Sequence, residues 1–340
     1  MSKQFKRITT ACSALFLTLG LSVSAVQAQE ERSYILTTAT TGGTYYPVGV
    51  ALATLIKIKL QNKHKIDMSA ISSAGSGENV KLLRENQAQF AILQGLFGQW
   101  AVTGTGKVAA DGEQKNMRSI SMLWQNVEQM LVASELAETG TIDDLKGMAG
   151  KPFSIGKKNS GTEGSGQTVL GNLGIDYEGF NTVNQGYTPT AEGLQNGTVL
   201  GANMTGGPPT SAVTQAFAAL GDKLTLLEFT DEQMDRANGD GSLWTRYVIE
   251  AGTYPGLEKD ISTIAQPNFL AVNADVDEEA VYLVTKTIYE NLPFLTNIHK
   301  ATKAMALEKA IGGLPAPLHP GAAKYYKEQG IEIPANLMAK

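Results

Sequence analysis

Cysteine is nearly absent from this sequence: among its 340 residues only Cys12 carries a thiol. Cys12 lies in an N-terminal segment with the pattern of a removable leader, so we expect the mature chain to contain neither a thiol nucleophile nor a disulfide. An exported chain without disulfides must be stabilised by a hydrophobic core. About 310 residues are enough for such a core and favour two domains.

A second long apolar run is also missing after the N-terminal one. That first run, over residues 8–26, follows three basic residues. Val26 and Ala28 then place small side chains at the two positions that signal peptidase reads. We expect residues 1–28 to be a secretory signal peptide that is cleaved after Ala28. A retained membrane anchor is the weaker alternative, because the run is barely long enough to span a bilayer.

An excess of basic residues is lacking as well. Removal of the signal peptide leaves 25 of the 28 lysines and arginines against 33 acidic residues, a net charge of −8. Proteins that bind nucleic acid favour a basic face, and anionic membranes attract polybasic segments. The charge balance therefore argues against nucleic acid as a partner and against a membrane-surface patch.

Histidines and the common catalytic motifs are scarce. The three histidines, His64, His299 and His319, have no spacing typical of metal ligands. There is no G-x-S-x-G nucleophile elbow, and neither the dinucleotide-binding nor the Walker glycine pattern is complete. We therefore expect no catalytic residue, no metal and no cofactor.

Strands and helices alternate in the first part of the chain. The predicted strands are 33–38, 66–71 and 90–94, and the predicted helices are 48–60 and 80–87. Each of the first two strands is followed by a polar, glycine-rich turn and then a helix. This order is typical of an α/β fold with a parallel sheet.

The same order returns after a long apolar segment, 120–133, which we expect to cross between two lobes. Beyond it, we predict a short helix from residue 142, strands at 153–156, 199–204 and 224–229, and helices from 167, near 190–196 and at 211–220. Residues 261–273 are a candidate second crossing strand. Asp275 is the expected N-cap of a helix over 277–291.

Four glycine-rich turns, two in each half, precede predicted helices. They lie at residues 41–47, 72–79, 159–166 and 205–210. In parallel α/β units such turns meet at the carboxyl ends of the strands, where helix N-termini offer free N–H groups to anions. We expect Gly42 and Gly43 to allow positive φ and close backbone approach, and Pro47 to occupy the first helical position. Simple helix capping is the alternative for any single turn.

None of the four turns contains arginine, so a carboxylate there would be held mainly by backbone N–H groups and hydroxyls. Asn79 and Gln94 are candidate amide donors, although Asn79 is equally suited to capping. Glu78 and Glu163 stand in the first turns of their predicted helices. They are expected either to face a ligand or to complete capping boxes.

Five ordered motifs resemble those of the TAXI solute-binding proteins, the extracytoplasmic receptors of TRAP transporters. They are TGGTYYPVG at 41–49, GENVKLLRENQAQFAILQ at 77–94, FSIGKKNSGTE at 153–163, EAGTYPG at 250–256 and GLPAPLHPGAAKYYKEQG at 313–330. The resemblance covers nearly the whole mature chain. It departs from the family pattern at Gly77 and at Gly95-Leu96, where the family often has larger or polar side chains.

The resemblance implies an α/β, type II periplasmic-binding-protein fold: two lobes with a ligand cleft between them. Lobe one would comprise residues 31–122 plus about 250–340, and lobe two, inserted into it, residues 123–249. Carried over by motif, the expected ligand-binding residues are Gly43, Thr44, Tyr45, Tyr46, Ser76, Asn79, Gln94, Ser160, Gly161, Thr162, Glu163, Gly206, Gly207 and Pro208.

The resemblance also implies a periplasmic protein that binds a small organic acid, either glutamate-like or another dicarboxylate or oxoacid. Its partner would be a TRAP permease, with small and large subunits or a fused one, driven by an ion gradient. We expect a monomer. The alternatives are an exported enzyme that uses the serine-rich turns, and a sensor or surface antigen that binds without transport.

Overall fold

The computed structural model describes residues 31–338. The predicted signal peptide, residues 1–28, lies outside the described residues. The strands are β1 (Arg32–Thr37), β2 (Ile66–Ile71), β3 (Phe90–Gln94), β4 (Met117–Val127), β5 (Met130–Ala133), β6 (Pro152–Ser154), β7 (Asn181–Val183), β8 (Gly201–Asn203), β9 (Leu224–Leu226), β10 (Thr245–Ile249) and β11 (Ile261–Asn273).

Helices follow most of the strands. They are α1 (Tyr45–His64), α2 (Ser76–Arg84), α3 (Gly95–Thr103), α4 (Gly161–Leu173), α5 (Tyr187–Asn196), α6 (Ser211–Leu220), α7 (Asp231–Asn238), α8 (Glu278–Tyr289), α9 (Leu292–Ile298) and α10 (Pro320–Glu328). Short 3₁₀ segments, such as Ile142–Met148, fill several connections.

The strands form two mixed sheets. Sheet A has the order β10-β11-β3-β1-β2, with β4 on the other side of β11, and sheet B has the order β7-β6-β8-β5-β9. β1, β2 and β3 are parallel, as are β6, β7 and β8, which agrees with the predicted α/β pattern. β11 runs antiparallel to β3, β4 and β10, so sheet A is not purely parallel.

The chain passes from sheet A to sheet B between β4 and β5, at Glu128 and Gln129. This segment is the predicted crossing at 120–133. β11 is the predicted strand at 261–273, and it pairs along its length with β4. The two long strands therefore lie side by side where the two sheets join. The limits of the two lobes stay a prediction.

The described hydrophobic side chains form one core on sheet A and two cores that combine sheet B with residues of β4, β10, β11 and α3. On sheet A, α1 buries Val48, Leu52 and Ile56, which recur at helical spacing as predicted. On sheet B, Leu131 of β5 points to one core while Met130 and Val132 point to the other. This alternation is the two-residue period of a strand that is covered on both faces.

Several predicted helix starts are wrong. α2 begins at Ser76 instead of 80, and α4 at Gly161 instead of 167, so the glycine-rich turns form the first turns of these helices. Pro47 is the third residue of α1, not the first, and Asp277, not Asp275, caps α8. α3, α7 and β10 were not predicted.

Close packing explains why the early glycines are helical despite their low helix propensity. A Cβ on Gly77 would lie 2.6 Å from the Asn159 carbonyl oxygen, and one on Gly164 would lie 2.4 Å from the Phe97 ring. α2 and α3 flank β3 of sheet A, whereas residues 159–164 follow β6 of sheet B. The helical glycines therefore let the two halves approach each other.

Candidate functional site

A small cavity of about 30 Å³ lies between the two sheets. It is bordered by three of the predicted glycine turns and by the first residue of the fourth. Its lining residues are Ala39, Thr40, Gly43, Thr44, Tyr45, Ala74, Gly75, Ser76, Gln94, Asn126, Lys157, Ser160, Gly161, Thr162, Gly186, Tyr187 and Thr205.

Four helices begin at this cavity. The first helical residues of α1, α2, α4 and α5 all line it, namely Tyr45, Ser76, Gly161 and Tyr187. In the described chain, the N-caps of α1 and α2 make no side-chain hydrogen bond to their helices, while Ser160 Oγ accepts one from the Glu163 N–H at 3.0 Å. First-turn N–H groups and the positive ends of helix dipoles favour anions, so the cavity suits a negatively charged group.

Two buried amides face the cavity with unpaired atoms. Gln94 is 2% exposed and Asn126 is 1% exposed. Gln94 Oε1 and Asn126 Nδ2 have no hydrogen-bond partner among residues 31–338. A buried polar atom without a partner costs free energy, which a bound polar molecule would recover. The backbone of Gln94 is fixed, because its N–H donates to Ser76 Oγ at 3.1 Å.

Two buried tyrosines supply neutral hydroxyls. The Tyr45 hydroxyl donates to Asn268 Oδ1, and the Tyr187 hydroxyl donates to the Thr205 carbonyl at 2.6 Å. Burial raises the pKa of Tyr187 to about 12 and raises that of Tyr45 well above its ordinary value. Both side chains therefore stay protonated and add no negative charge to the site.

Lys157 is the only charged side chain among the lining residues that the structure describes. It is exposed and follows β6 in the loop that leads to α4. The acidic candidates turn away from the cavity. Glu78 Oε2 accepts the Ala74 N–H, while Glu163 Oε2 accepts the Asn159 N–H at 2.9 Å and pairs with Lys107. The fixed charge at the cavity is therefore positive.

Eight of the fourteen predicted ligand-binding residues line the cavity: Gly43, Thr44, Tyr45, Ser76, Gln94, Ser160, Gly161 and Thr162. The other six, Tyr46, Asn79, Glu163, Gly206, Gly207 and Pro208, do not. Tyr46 is half-buried in the first turn of α1. Gly42, with φ of 84°, has the positive φ expected of this turn, whereas Gly43 does not.

Asn79 is occupied in a buried hydrogen-bond network. Its Nδ2 donates to the Thr38 carbonyl at 2.7 Å and to the Ile92 carbonyl at 2.9 Å. Its Oδ1 accepts from Thr37 Oγ1 at 2.7 Å and from Ser73 Oγ at 2.6 Å. Asn79 thus holds the second turn to β1 and β3, a role that is neither the ligand contact nor the helix cap expected from the sequence.

The fourth turn packs behind the cavity instead of opening into it. Gly206 exchanges two backbone hydrogen bonds with Val127, each at 3.0 Å. Thr44 Oγ1 donates to the Gly207 carbonyl at 2.9 Å and accepts from the Gly207 N–H at 3.1 Å. A Cβ on Gly207 would lie 2.6 Å from Trp124. This turn therefore joins the start of α1 to the end of β4.

The sequence reasoning missed nine lining residues: Ala39, Thr40, Ala74, Gly75, Asn126, Lys157, Gly186, Tyr187 and Thr205. Ala74, Gly75 and Thr205 lie within the predicted glycine-rich turns, and Lys157 lies in the FSIGKKNSGTE motif. These four residues could therefore have been predicted from the sequence. Gly186 and Tyr187 open α5, whose start was placed too late. Asn126 lies inside a crossing strand, where no local pattern marks it.

A metal site and a membrane-spanning helix are both absent from the part of the chain that the structure describes. Residues 31–338 contain no group of three or more His, Cys, Asp or Glu side chains placed to hold a metal ion. Within the same residues, every helix is too short or too polar to cross a bilayer.

A model of the NMT1-like family matches residues 36–330. Among solved structures, MatC from Rhodopseudomonas palustris with bound malate is similar at 13% identity and a TM-score of 0.53, covering 87% of this chain and 98% of that one. The periplasmic binding protein BugD is similar at 14% identity and a TM-score of 0.53, covering 88% and 94%. At these identities the likeness is one of fold, and the fold is that of the periplasmic binding proteins.

Proposed function

We propose that this chain, which belongs to the NMT1-like family and has the fold of the periplasmic binding proteins, captures a small organic anion between its two sheets. The proposed ligand is a dicarboxylate or an oxoacid. The protein would bind it without turnover and deliver it to a membrane permease. The observation that carries this proposal is the convergence of four helix N-termini and Lys157 on one cavity.

The charge of the cavity favours an acid without an ammonium group. Neither Glu78 nor Glu163 lines the cavity, and both accept backbone N–H groups elsewhere. An amino acid would have to place its ammonium group without a carboxylate partner, which costs free energy in a partly buried site. A glutamate-like ligand is therefore less suited than a dicarboxylate or an oxoacid of similar length.

The size of the cavity supports a compact ligand. Small-molecule sites commonly enclose about 300–1,000 Å³, whereas the closed form seen in this structure leaves a cavity of only about 30 Å³, so a ligand enters only when the lobes move apart. MatC, which shares the fold, was solved with bound malate, a four-carbon dicarboxylate. Both observations favour a ligand of a few carbon atoms.

The lobes touch each other across the site, so entry of a ligand requires an open form. The Glu78 N–H, on the sheet A side, donates to the Asn159 carbonyl at 3.0 Å. Lys107 and Glu163 form an ion pair across the same boundary at 3.3 Å. We propose that ligand binding shifts the population from an open form to this closed one.

The resemblance at the TGGTYYPVG motif supports a finer assignment. We propose that the protein is a TAXI receptor, that it acts in the periplasm after cleavage behind Ala28, and that it serves a TRAP permease. That permease would have small and large subunits or a fused chain, and an ion gradient would drive uptake without ATP. We propose that the receptor is a monomer.

A thermal-shift screen tests the capture step. The exported protein is freed of retained ligand by unfolding and refolding, and is then heated with malate, succinate, 2-oxoglutarate and glutamate. A ligand at a hundred times its dissociation constant stabilises a protein by about 2.7 kcal/mol. We expect shifts with the first three and a smaller one with glutamate. If none of the four produces a shift, the proposal is wrong.

A further inference from the structure

Glu128 lies at the point where the chain leaves sheet A for sheet B. Its side chain is fully buried, with 0% of its surface exposed. Its N–H donates to the Ile264 carbonyl at 2.9 Å, and its carbonyl accepts from Thr263 Oγ1 at 2.8 Å. β11 therefore holds this residue in place at the end of β4. Buried glutamates are rare unless they are paired or protonated, so its environment requires an explanation.

Hydrogen-bond donors surround the Glu128 carboxyl group. Asn203 Nδ2 donates to Glu128 Oε2 at 3.2 Å. Gln266 Oε1 accepts the Leu96 N–H at 2.8 Å, and its buried amide nitrogen is free to donate. Burial raises the pKa of Glu128 to about 7, although the polar side chains of Ser165, Asn203, Trp244 and Gln266 nearby act to lower it. Of these, only Asn203 forms a hydrogen bond to the carboxyl group; Glu128 Oε1, Trp244 Nε1 and Gln266 Nε2 have no partner among residues 31–338.

The ionisable groups on the surrounding elements do not neutralise Glu128. β5, β8, β11 and α3 contain no ionisable side chain. Arg118 lies at the far end of β4 and donates to the Lys115 and Met117 carbonyls. Glu163 of α4 forms an ion pair with Lys107. Arg246 of β10 forms an ion pair with Asp231. The charge of Glu128 helps to raise the pKa of Tyr187 of α5, so this hydroxyl stays neutral. The carboxyl group thus has donors but no cationic partner within the described residues.

A short chain of contacts connects Glu128 to the ligand cavity. Asn203 Nδ2, which binds the carboxyl group, also donates to the Thr162 carbonyl at 3.4 Å. Thr162 lines the cavity in the first turn of α4, and its hydroxyl contacts that of Tyr187, another lining residue. Glu128 therefore stands just behind the wall against which a ligand would rest.

We propose that Glu128 is a proton-binding site coupled to capture of the anionic ligand, so that the protein takes up a proton when the ligand binds. This inference rests on the proposed function. An anion in the cavity and an ionised Glu128 would repel each other through a poorly solvated wall, where charges interact strongly. Protonation removes the repulsion, and by linkage the ligand and the proton strengthen each other's binding.

The coupling predicts a direction for pH. Above pH 7 the free protein carries an ionised Glu128, so each binding event must draw a proton from solution. The dissociation constant should therefore increase with pH, by up to about tenfold per pH unit. Below the titration range of the free site, Glu128 is already protonated and the pH dependence should disappear.

Calorimetry with malate, succinate and 2-oxoglutarate tests the coupling, because all three are fully ionised above pH 7. Titrations at pH 6, 7, 8 and 9, in buffers that differ in ionisation enthalpy, give both affinity and proton uptake. We expect proton uptake and a rising dissociation constant in the native protein. Glu128→Gln should remove both effects, whereas Glu135→Gln, at an exposed position, should keep them. Equal pH profiles in the native protein and Glu128→Gln, or no proton uptake, would overturn the coupling.

A second measurement needs no ligand. The indole Nε1–H resonance of Trp244, assigned with Trp244→Phe, should titrate with a midpoint near pH 7 in the native protein and not in Glu128→Gln. If Trp244 does not titrate, the proton site is wrong. If it titrates but none of the three acids binds, the proposed function fails and the coupling fails with it, while the proton site stands.

Discussion

The turns at Gly42–Gly43 and at Gly206–Gly207 look alike in sequence, since one reads TGGT and the other TGGP. In the structure they differ. Gly43 and Thr44 line the cavity, whereas Gly206 and Gly207 are packed against Val127, Thr44 and Trp124. We call the lining residues, such as Gly43, Gln94, Asn126 and Lys157, the front of the site. We call the buried residues behind them, Gly206, Gly207 and Glu128, the joint. Paired glycines therefore do not by themselves distinguish a binding turn from a packed one.

The front and the joint also differ in how their polar groups are satisfied. At the front, Gln94 Oε1 and Asn126 Nδ2 lack partners within the described chain, and Lys157 reaches solvent. At the joint, the backbone groups of Gly207 and Glu128 are hydrogen-bonded, and the unpaired Glu128 Oε1 is buried outside the cavity lining. Changes at the joint should therefore reduce stability, and changes at the front should reduce affinity.

The largest effect is expected at the joint from Gly207→Val. A Cβ there would lie 2.5 Å from Ala301 and 2.6 Å from Trp124, and overpacking of this kind costs about 3 kcal/mol. Urea unfolding should show that loss. Gly171→Ala is the control, because Gly171 is at an exposed position of α4 and nothing lies within 4 Å of the added Cβ. It should stabilise the protein by about 1 kcal/mol. Native stability in Gly207→Val would show that the joint is loosely packed.

The second effect concerns the pH dependence of stability at the joint. The folded pKa of Glu128, about 7, is raised above the ordinary value of 4.5. The stability contribution of its proton is therefore fully present below pH 4.5 and is lost as pH rises towards 7 and above. Relative to Glu128→Gln, the native protein should lose about 3 kcal/mol of unfolding free energy between pH 4.5 and 8.5. Parallel urea curves across this range would contradict the buried titration.

The third prediction concerns the front. Lys157→Ala should weaken binding of a dicarboxylate about tenfold to a hundredfold, because one charge-assisted hydrogen bond contributes about 1.5–3 kcal/mol. Its unfolding free energy should stay within about 0.5 kcal/mol of the native value, as for other exposed substitutions. Lys158→Ala, at the exposed neighbouring position outside the lining, is the matched control in calorimetry. Equal affinities for the two variants would remove Lys157 from the site.

The smallest effect is expected from Gly43→Ala, also at the front. The new Cβ would lie 3.2 Å from the Tyr187 ring, which must move by a few tenths of an ångström. We expect a severalfold weaker ligand affinity and a stability loss below about 1 kcal/mol. Compared with Gly43→Ala, Gly43→Val should reduce ligand affinity further, and this further loss should be larger than the further loss of stability. If calorimetry finds native affinity for both variants, the first turn acts only as a helix cap.

Much of the fold could be predicted because local patterns coincide with burial. β2, β3, α6 and β11 have the predicted bounds, since apolar runs or periodic side chains end at polar residues there. α3 could not be predicted as readily, because it follows β3 without an intervening turn. α7 could have been predicted, because Thr230 and Gln233 have the spacing of a capping box, which indicates a helix start.

The candidate site was predicted less completely, for a different reason. Thr44, Ser76 and Ser160 stand at helix starts, which sequence marks with hydroxyls and glycines. Asn126 and Tyr187 reach the cavity because distant strands and helices place them there. Asn79 looked like a ligand residue, but its amide is fully occupied by hydrogen bonds at β1 and β3.

The sequence alone determined the kinds of element, the order of strand, turn and helix, and the presence of anion-suited helix starts, because these depend on residues close together in the chain. The tertiary structure decided which glycine turn meets the cavity, which acidic side chains leave it, and that Glu128 is buried behind its wall. Those outcomes depend on contacts between residues 40–230 positions apart, such as Thr44 with Gly207 and Tyr45 with Asn268. A local pattern contains no information about such contacts, since they arise only when both sheets pack together.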